Sequence, residues 1–373
     1  MLCGAAGAQQ AAEEAAAQRR PFALSPYASI TETLTDNVNL TSSKRSDLIT
    51  QPTVGLHADA DLAWLKGFLD YSLTGLWYAR DSAGSRLQHA LNAFATAEIV
   101  RNRAGVDLAG NISQQSRSPV GVQSPDTSLN NPNQTSVASL SVSPYLRGRL
   151  VGTVDYEARL RYMDTRSNDA PASDYTLSSQ SLSVGDPNVG GALGWSTQLS
   201  RTVVDYDGGA RTEADVLRGV LDWNLTPELV LSAIGGTEAN NYVSADKERH
   251  SLWGAGVKWR PSPRTDLSAE AQRRFFGNSH SILFTHRTAR TVWSFTDVRD
   301  ASTNTTPLFG NLGTAYDLFF RQFASIEPNP ILRQQLVNNF LLAHGISPTA
   351  TATAQFLSSA VTLQRMQNLS FAW

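Results

Sequence analysis

Val154-Asp155-Tyr156-Glu157-Ala158-Arg159-Leu160-Arg161-Tyr162 alternates apolar and polar side chains without a break. Successive side chains of a β-strand point to opposite faces, so Val154, Tyr156, Ala158, Leu160 and Tyr162 share one face and Asp155, Glu157, Arg159 and Arg161 the other. A helix, with a period of about 3.6, would scatter both sets around its circumference. In a soluble β-sandwich the apolar face would be the core and the charged face would meet water. In a transmembrane β-barrel the apolar face meets lipid and the charged face lines a wet lumen. The segment alone does not separate these surroundings; the rest of the chain has to.

Only 17% of the 373 residues are charged, against roughly 25% in an average soluble domain. No run approaches the ~18 consecutive apolar residues of a membrane-spanning helix. Tandem sandwiches would be separated by linkers, yet the alternation runs almost unbroken from Phe22 to about Arg299. The expected architecture is therefore all-β: an antiparallel up-and-down transmembrane β-barrel of about sixteen strands, in the outer membrane of a Gram-negative cell. Its rival is a soluble or surface-attached binding module made of tandem β-sandwiches. The formal net charge of −2 gives no electrostatic footprint for nucleic acid.

Residues 1–20 read as a signal-peptide remnant and linker. Leu2-Cys3-Gly4-Ala5-Ala6-Gly7-Ala8 has the small residues of a cleavage site after Ala8; an ordinary Ala-rich N-terminus is the alternative. Cleavage would remove Cys3, the single cysteine, and with it any disulfide framework or thiolate metal site. Residues 21–300 hold the barrel strands. Short turns at 63–66, 101–104, 150–153, 186–189, 226–229 and 261–264 interleave with longer polar loops at 36–47, 114–134, 166–173, 240–250 and beyond 301. Outer-membrane barrels have this asymmetry, with short periplasmic turns and long external loops. Residues 301–352 form an external loop with two short helices, at 314–323 and 330–342, where apolar residues recur at helical spacing and Gly345 is the stop. Residues 353–373 are the final strand.

Into the lumen of such a barrel would project Arg147, Arg149, Asp155, Glu157, Arg159, Arg161, Arg218, Asp222, Lys258, Glu270 and Arg274, with both signs interleaved. They suit solute selection in an open pore or cross-strand ion pairs that hold the wall together. Trp64, Tyr71, Trp77, Trp223, Trp259, Trp293 and Trp373 fit the aromatic girdles that sit at headgroup level; the plain alternative is that strands favour aromatics. His280 and His286 share a face of one strand, a weak metal pattern set against a pair exposed to lumen or loop. No G-x-S-x-G elbow, P-loop, H-E-x-x-H or EF-hand loop occurs. No catalytic residue, cofactor or metal is assigned, and the chain is expected not to be an enzyme.

The opening segment Pro26–Leu40, the middle block Trp253-Gly254-Ala255-Gly256-Val257-Lys258-Trp259 with Arg260–Thr265, Arg274-Phe275-Phe276-Gly277-Asn278, and His286–Ser294 carry a resemblance. Together they resemble a family of outer-membrane proteins of the PEP-CTERM/exosortase system, encoded near exopolysaccharide genes in Gram-negative bacteria. The similarity spans nearly the whole chain, and the middle block is its specific part. The resemblance implies an outer-membrane barrel acting as a channel or scaffold in an exopolysaccharide or PEP-CTERM surface-protein pathway. Implied partners are outer-membrane lipid, the barrel-assembly machinery and exopolysaccharide or export components. Family members continue past Trp373 with further strand pairs, so the resemblance also implies a truncated member. Against that stands the alternation of Leu369, Phe371 and Trp373, which is similar to a terminal assembly signal.

Overall fold

Val, Thr, Tyr and Trp favour extended backbone, and Gly, Pro, Asn and Asp break the runs they form. The computed structural model describes residues 21–80, 83–117, 121–122, 124, 126–150, 152–168, 174–209, 211–244, 246–302, 323, 333, 336–337 and 361–372. Among them lie sixteen strands: β1 (Phe22–Thr35), β2 (Asp47–Asp61), β3 (Leu65–Tyr78), β4 (Arg86–Val100), β5 (Ala104–Ser116), β6 (Gln134–Arg149), β7 (Asp155–Ser167), β8 (Tyr175–Val189), β9 (Leu193–Tyr206), β10 (Thr212–Thr226), β11 (Leu229–Asn240), β12 (Glu248–Ser262), β13 (Thr265–Arg274), β14 (Gly277–Arg287), β15 (Val292–Ser302) and β16 (Thr362–Ala372). They form one antiparallel sheet whose order follows the chain from β1 to β16. That is the all-β up-and-down arrangement expected from the alternation. A tandem sandwich needs pairs of packed sheets, and a single sheet in chain order supplies none.

Contacts divide the chain into two compact units, one built on β1–β5 with Ser124–Asn131, the other on β6–β16. In the first, Phe22, Leu24, Ile30 and Leu34 of β1 point to one face, and Ser25, Ser29, Thr31 and Thr33 to the other. Ile30 is 74% exposed and Leu34 81%. In the second, the register carries one parity from strand to strand. Leu160 lies opposite Gln180, Leu182 opposite Leu199, and Leu199 opposite Leu217. Leu140, Leu160, Leu199 and Leu221 therefore share an apolar face, where they are 61, 56, 51 and 51% exposed. Ser141, Ser143 and Thr165 lie buried on the opposite, polar face.

Three expectations about segments meet different outcomes. The turn placed at 186–189 is made instead by Gly190 and Gly191, at φ 63° and 88°. β8 runs on to Val189 through an irregularity between Asp186 and Val189, where the Asp186 carboxylate accepts the Asn188 backbone N–H at 3.0 Å. Asp-Pro-Asn carries turn chemistry, but the left-handed backbone of this tight turn is free of strain only without a Cβ. The helices at 314–323 and 330–342 fall outside the described residues, apart from Phe323 in a 3-10 turn and Arg333, Leu336 and Val337 in helical conformation. The final strand starts at Thr362; the signal-like segment 1–20 and residues 353–360 lie outside the described set.

The two faces should differ sharply in what they tolerate. If the apolar face meets lipid, Leu160→Arg should block assembly, since a charge at mid-depth there costs about 2–4 kcal/mol. Arg159→Leu, on the polar face, should still give a compact, heat-modifiable band on an unheated gel. Equal tolerance on both faces would show the register to be wrong.

Candidate functional site

The register puts all eleven charges singled out in the sequence on the polar face of the second unit. At one end of β6 and β7, Arg149 pairs with Asp155 at 3.0 Å and Arg159 with Glu157 at 3.0 Å. Arg147 lies opposite Glu157. The Arg147 and Arg159 guanidiniums flank the Tyr145 ring, 5.3 and 4.9 Å from its centroid, within cation–π range. Arg161 approaches the Met163 sulfur at 3.8 Å. Asp222 accepts the Ser232 hydroxyl, and Lys258 forms no ion pair among the described residues.

Arg218 on β10 reaches Glu270 on β13 at 3.0 Å, passing over β11 and β12. Strands lie about 4.8 Å apart, so such a pair closes only with both side chains extended over the strands between them. Gly236, Gly254 and Gly256 clear the way: they share the polar face between the two residues. A Cβ on Gly256 would stand 3.2 Å from the Glu270 side chain.

At the long-loop end of the same unit, Arg274 bridges two carboxylates that the sequence reading did not select. It meets Glu238 of β11 at 2.9 Å and Asp300 of β15 at 2.7 Å. Glu238 is 2% exposed and also accepts the Phe275 backbone N–H. The rings of Phe275 and Phe276 lie 6.0 and 5.5 Å from the guanidinium, and Tyr242 packs on Phe275 at 5.6 Å. Burial lifts the Tyr242 phenol above its usual pKa. The Arg-Phe-Phe-Gly-Asn segment is thus a tight turn locked to its neighbours by an ion triad that includes the buried Glu238.

In the first unit the polar face carries His57, bridging Asp70 and Asp59, and Thr96, bonded to Asp107 at 2.7 Å. Residues 126–131, part of the long polar loop expected at 114–134, seat on this face. Val38 and Leu129 bury against Ile49, Leu76 and Tyr78. The Tyr78 hydroxyl donates to the Ser128 carbonyl at 2.6 Å, Arg86 to Leu129 O at 2.9 Å and Gln88 to Thr127 O at 2.8 Å. Asn130 N–H donates to Val38 O at 2.9 Å, so two loops close on each other over the strand ends.

Of the aromatic set, Trp64 occupies the β2–β3 turn, and Trp223, Trp259 and Trp293 stand on the apolar face beside short turns. Trp77 takes that face at the other end of β3, while Tyr71 sits in mid-strand, bonded to His89 at 2.7 Å. Trp373 lies outside the described residues. His280 and His286 face neither a polar lumen-like surface nor a loop. His280 lies opposite Ala271, on the apolar face, where it meets Asp297 at 3.1 Å; His286 bonds Thr265 at 2.8 Å. Among the described residues no three His, Cys, Asp or Glu side chains converge to hold a metal.

No family model and no curated protein matches the chain. Among solved structures it is similar to the siderophore receptor PirA from Pseudomonas aeruginosa, with 11% sequence identity, a TM-score of 0.45 and 76% of this chain covered. The chain spans 57% of that receptor's length.

Two expected outcomes follow from the packing. Arg274→Ala leaves the buried Glu238 and the partly exposed Asp300 without their cation and should destabilise the folded form by up to about 3–5 kcal/mol, read as a lower melting temperature of the compact band. An unchanged melting temperature would deny the triad its role. Leu129→Ala removes a buried anchor, costing up to about 2–5 kcal/mol locally, and should make 126–131 open to protease while the strands stay protected.

Proposed function

We propose that the chain is an outer-membrane β-barrel that acts without catalysis, as a channel or scaffold in a surface-polysaccharide pathway. The observation that carries this reading is a reversal of the two faces along the strands of the second unit. On β7 the apolar face shows Tyr156, Ala158, Leu160 and Tyr162, then Asp164 and Arg166. On β10 it shows Trp223, Leu221 and Leu217, then Asp215 and Glu213. Over the same long-loop ends the polar face becomes a small core of Met163, Tyr175, Leu177, Val204 and Tyr206. A wall that leaves lipid for water should reverse in this way, whereas a soluble protein would not hold so many exposed leucines on one surface.

With the apolar face toward lipid, the polar face lines the interior, and the long loops lie outside the cell. Its lining of Ser139, Ser179, Ser181 and Thr202, with Ser179 bonded to Thr202 across strands, offers hydroxyl partners to a sugar chain. The Arg147 and Arg159 guanidiniums, held against the buried Tyr145 ring, are suited to sugar carboxylates. The link to exopolysaccharide and PEP-CTERM surface proteins, and to the assembly machinery as partner, rests on the resemblance of Trp253–Thr265 and Arg274–Asn278.

Two measurements test the proposal. The chain should partition into detergent and resist extraction by salt or alkali; recovery in the aqueous phase would end the membrane reading. In planar bilayers, Arg147→Ser with Arg159→Ser should shift ion selectivity toward cations. Wild-type bilayers that stay silent while the protein is inserted would exclude the channel and leave the scaffold.

A further inference from the structure

The apolar face of β14–β16 carries a polar cluster in which Arg299 and Arg365 face a single carboxylate, Asp297. Asp297 lies at its centre, 5% exposed. It accepts Arg365 at 2.7 and 3.1 Å, Gln367 at 3.0 Å and His280 at 3.1 Å. Arg299, on the same face, lies directly opposite His280 on one side and Arg365 on the other. Like charges placed opposite each other repel. Arg166 and Arg201, also on the apolar face near long-loop ends, are matched by Asp164 and Asp207 and by Glu213 and Asp215. Arg299 has no ion pair among the described residues.

Its level along the strand is informative. Tyr156 and Tyr162 on β7, and Trp259 and Trp253 on β12, mark two aromatic levels on the apolar face six residues apart. Trp293 to Arg299 and Phe371 to Arg365 repeat that spacing, about 20 Å along a strand. The two guanidiniums therefore replace aromatics at the second level. Toward the short turns, the same surface presents Phe284, Phe295, Leu369 and Phe371, a bed for acyl chains.

Resting on the membrane reading above, we infer that Arg299, with Arg365 and His280, binds the phosphate of an anionic lipid headgroup from the lateral side of the wall. The phosphate supplies the anion missing from the row, and Arg299 holds it through charge-assisted hydrogen bonds. The acyl chains lie on the aromatic and leucine bed below.

The test uses the full chain in neutral detergent, with native mass spectrometry reading retained lipid. The probes are phosphatidylglycerol and diphosphorylated lipid A, against phosphatidylcholine, whose phosphate is offset by its own ammonium, and inorganic phosphate as free anion. Retention of the anionic lipids over phosphatidylcholine is expected, falling about tenfold in Arg299→Gln and kept in Arg299→Lys. Undiminished preference in Arg299→Gln, or displacement of lipid by an equal concentration of inorganic phosphate, overturns the inference. Should Arg299→Gln fail to assemble, the wild type at about 1 M salt, where charges are screened beyond about 3 Å, decides: lost preference supports the site and intact preference removes it. The membrane reading fails separately, by recovery of the chain without detergent.

Discussion

The ladder of backbone hydrogen bonds between sequence neighbours is the constraint on which everything else depends. Once Leu160 pairs with Gln180 and Leu199 with Leu217, the period of two leaves no freedom in which face a side chain takes. A slip of one residue on β7 would send Asp155, Glu157, Arg159 and Arg161 to the apolar side and bring Tyr156, Leu160 and Tyr162 among the serines. The repeated cost of such a slip, strand after strand, is what makes a chain with so little conventional core specify one register. Irregularities are confined to strand ends beside short turns, as at Asn224–Thr226 and Trp259–Ser262, where no face has to be kept.

On the polar face the dominant problem is the opposite one: charges brought together by the ladder must find partners. The solution uses reach across strands as much as contact along them. Arg218 crosses two strands to Glu270 over glycines, and Arg274 gathers Glu238 and Asp300 from strands on either side. Each such bridge ties non-adjacent strands, which the ladder alone cannot do, and so stiffens the curvature of the sheet. A buried cation and its carboxylates form a unit whose parts are costly separately. That explains why a tight aromatic turn, Phe275-Phe276, sits over one of them and keeps water away.

What could be read in the sequence was whatever period and sign determine. The alternation at Val154–Tyr162 places each side chain on the face where it is found, and the same holds for the polar-face series Arg218–Asp222 and Glu270–Arg274, because parity alone decides them. Turn placement between β8 and β9 was less legible, since Asp186-Pro187-Asn188 and Gly190-Gly191 both carry turn chemistry and only the backbone geometry chooses between them. The seat of residues 126–131 was not legible, because it depends on Val38 and Leu129 meeting side chains far away in sequence. Glu238 and Asp300 escaped for the same reason. Nothing local marks a carboxylate whose partner lies two strands off. His280 and His286 were recognised as sharing a face, but which face required the pairing of β13 with β14.

The apolar face of β14–β16 shows how parity and depth together generate chemistry. Parity puts Asp297, Arg299 and Arg365 on the face that carries Trp293, Phe295 and Leu369, and on the proposed membrane reading depth decides whether that is a fault or a function. Four residues beyond Trp293, Asp297 is deep enough to need full satisfaction, and it has it, from His280, Gln367 and Arg365. Two residues further along, Arg299 has a long side chain that can extend toward the headgroups. The shallower residue can be left for an external anion; the deeper one cannot. An acid closed off below and a cation left open above is the order in which a polar cluster on a lipid-facing wall is stable. The reverse order would strand an uncompensated charge in the acyl region.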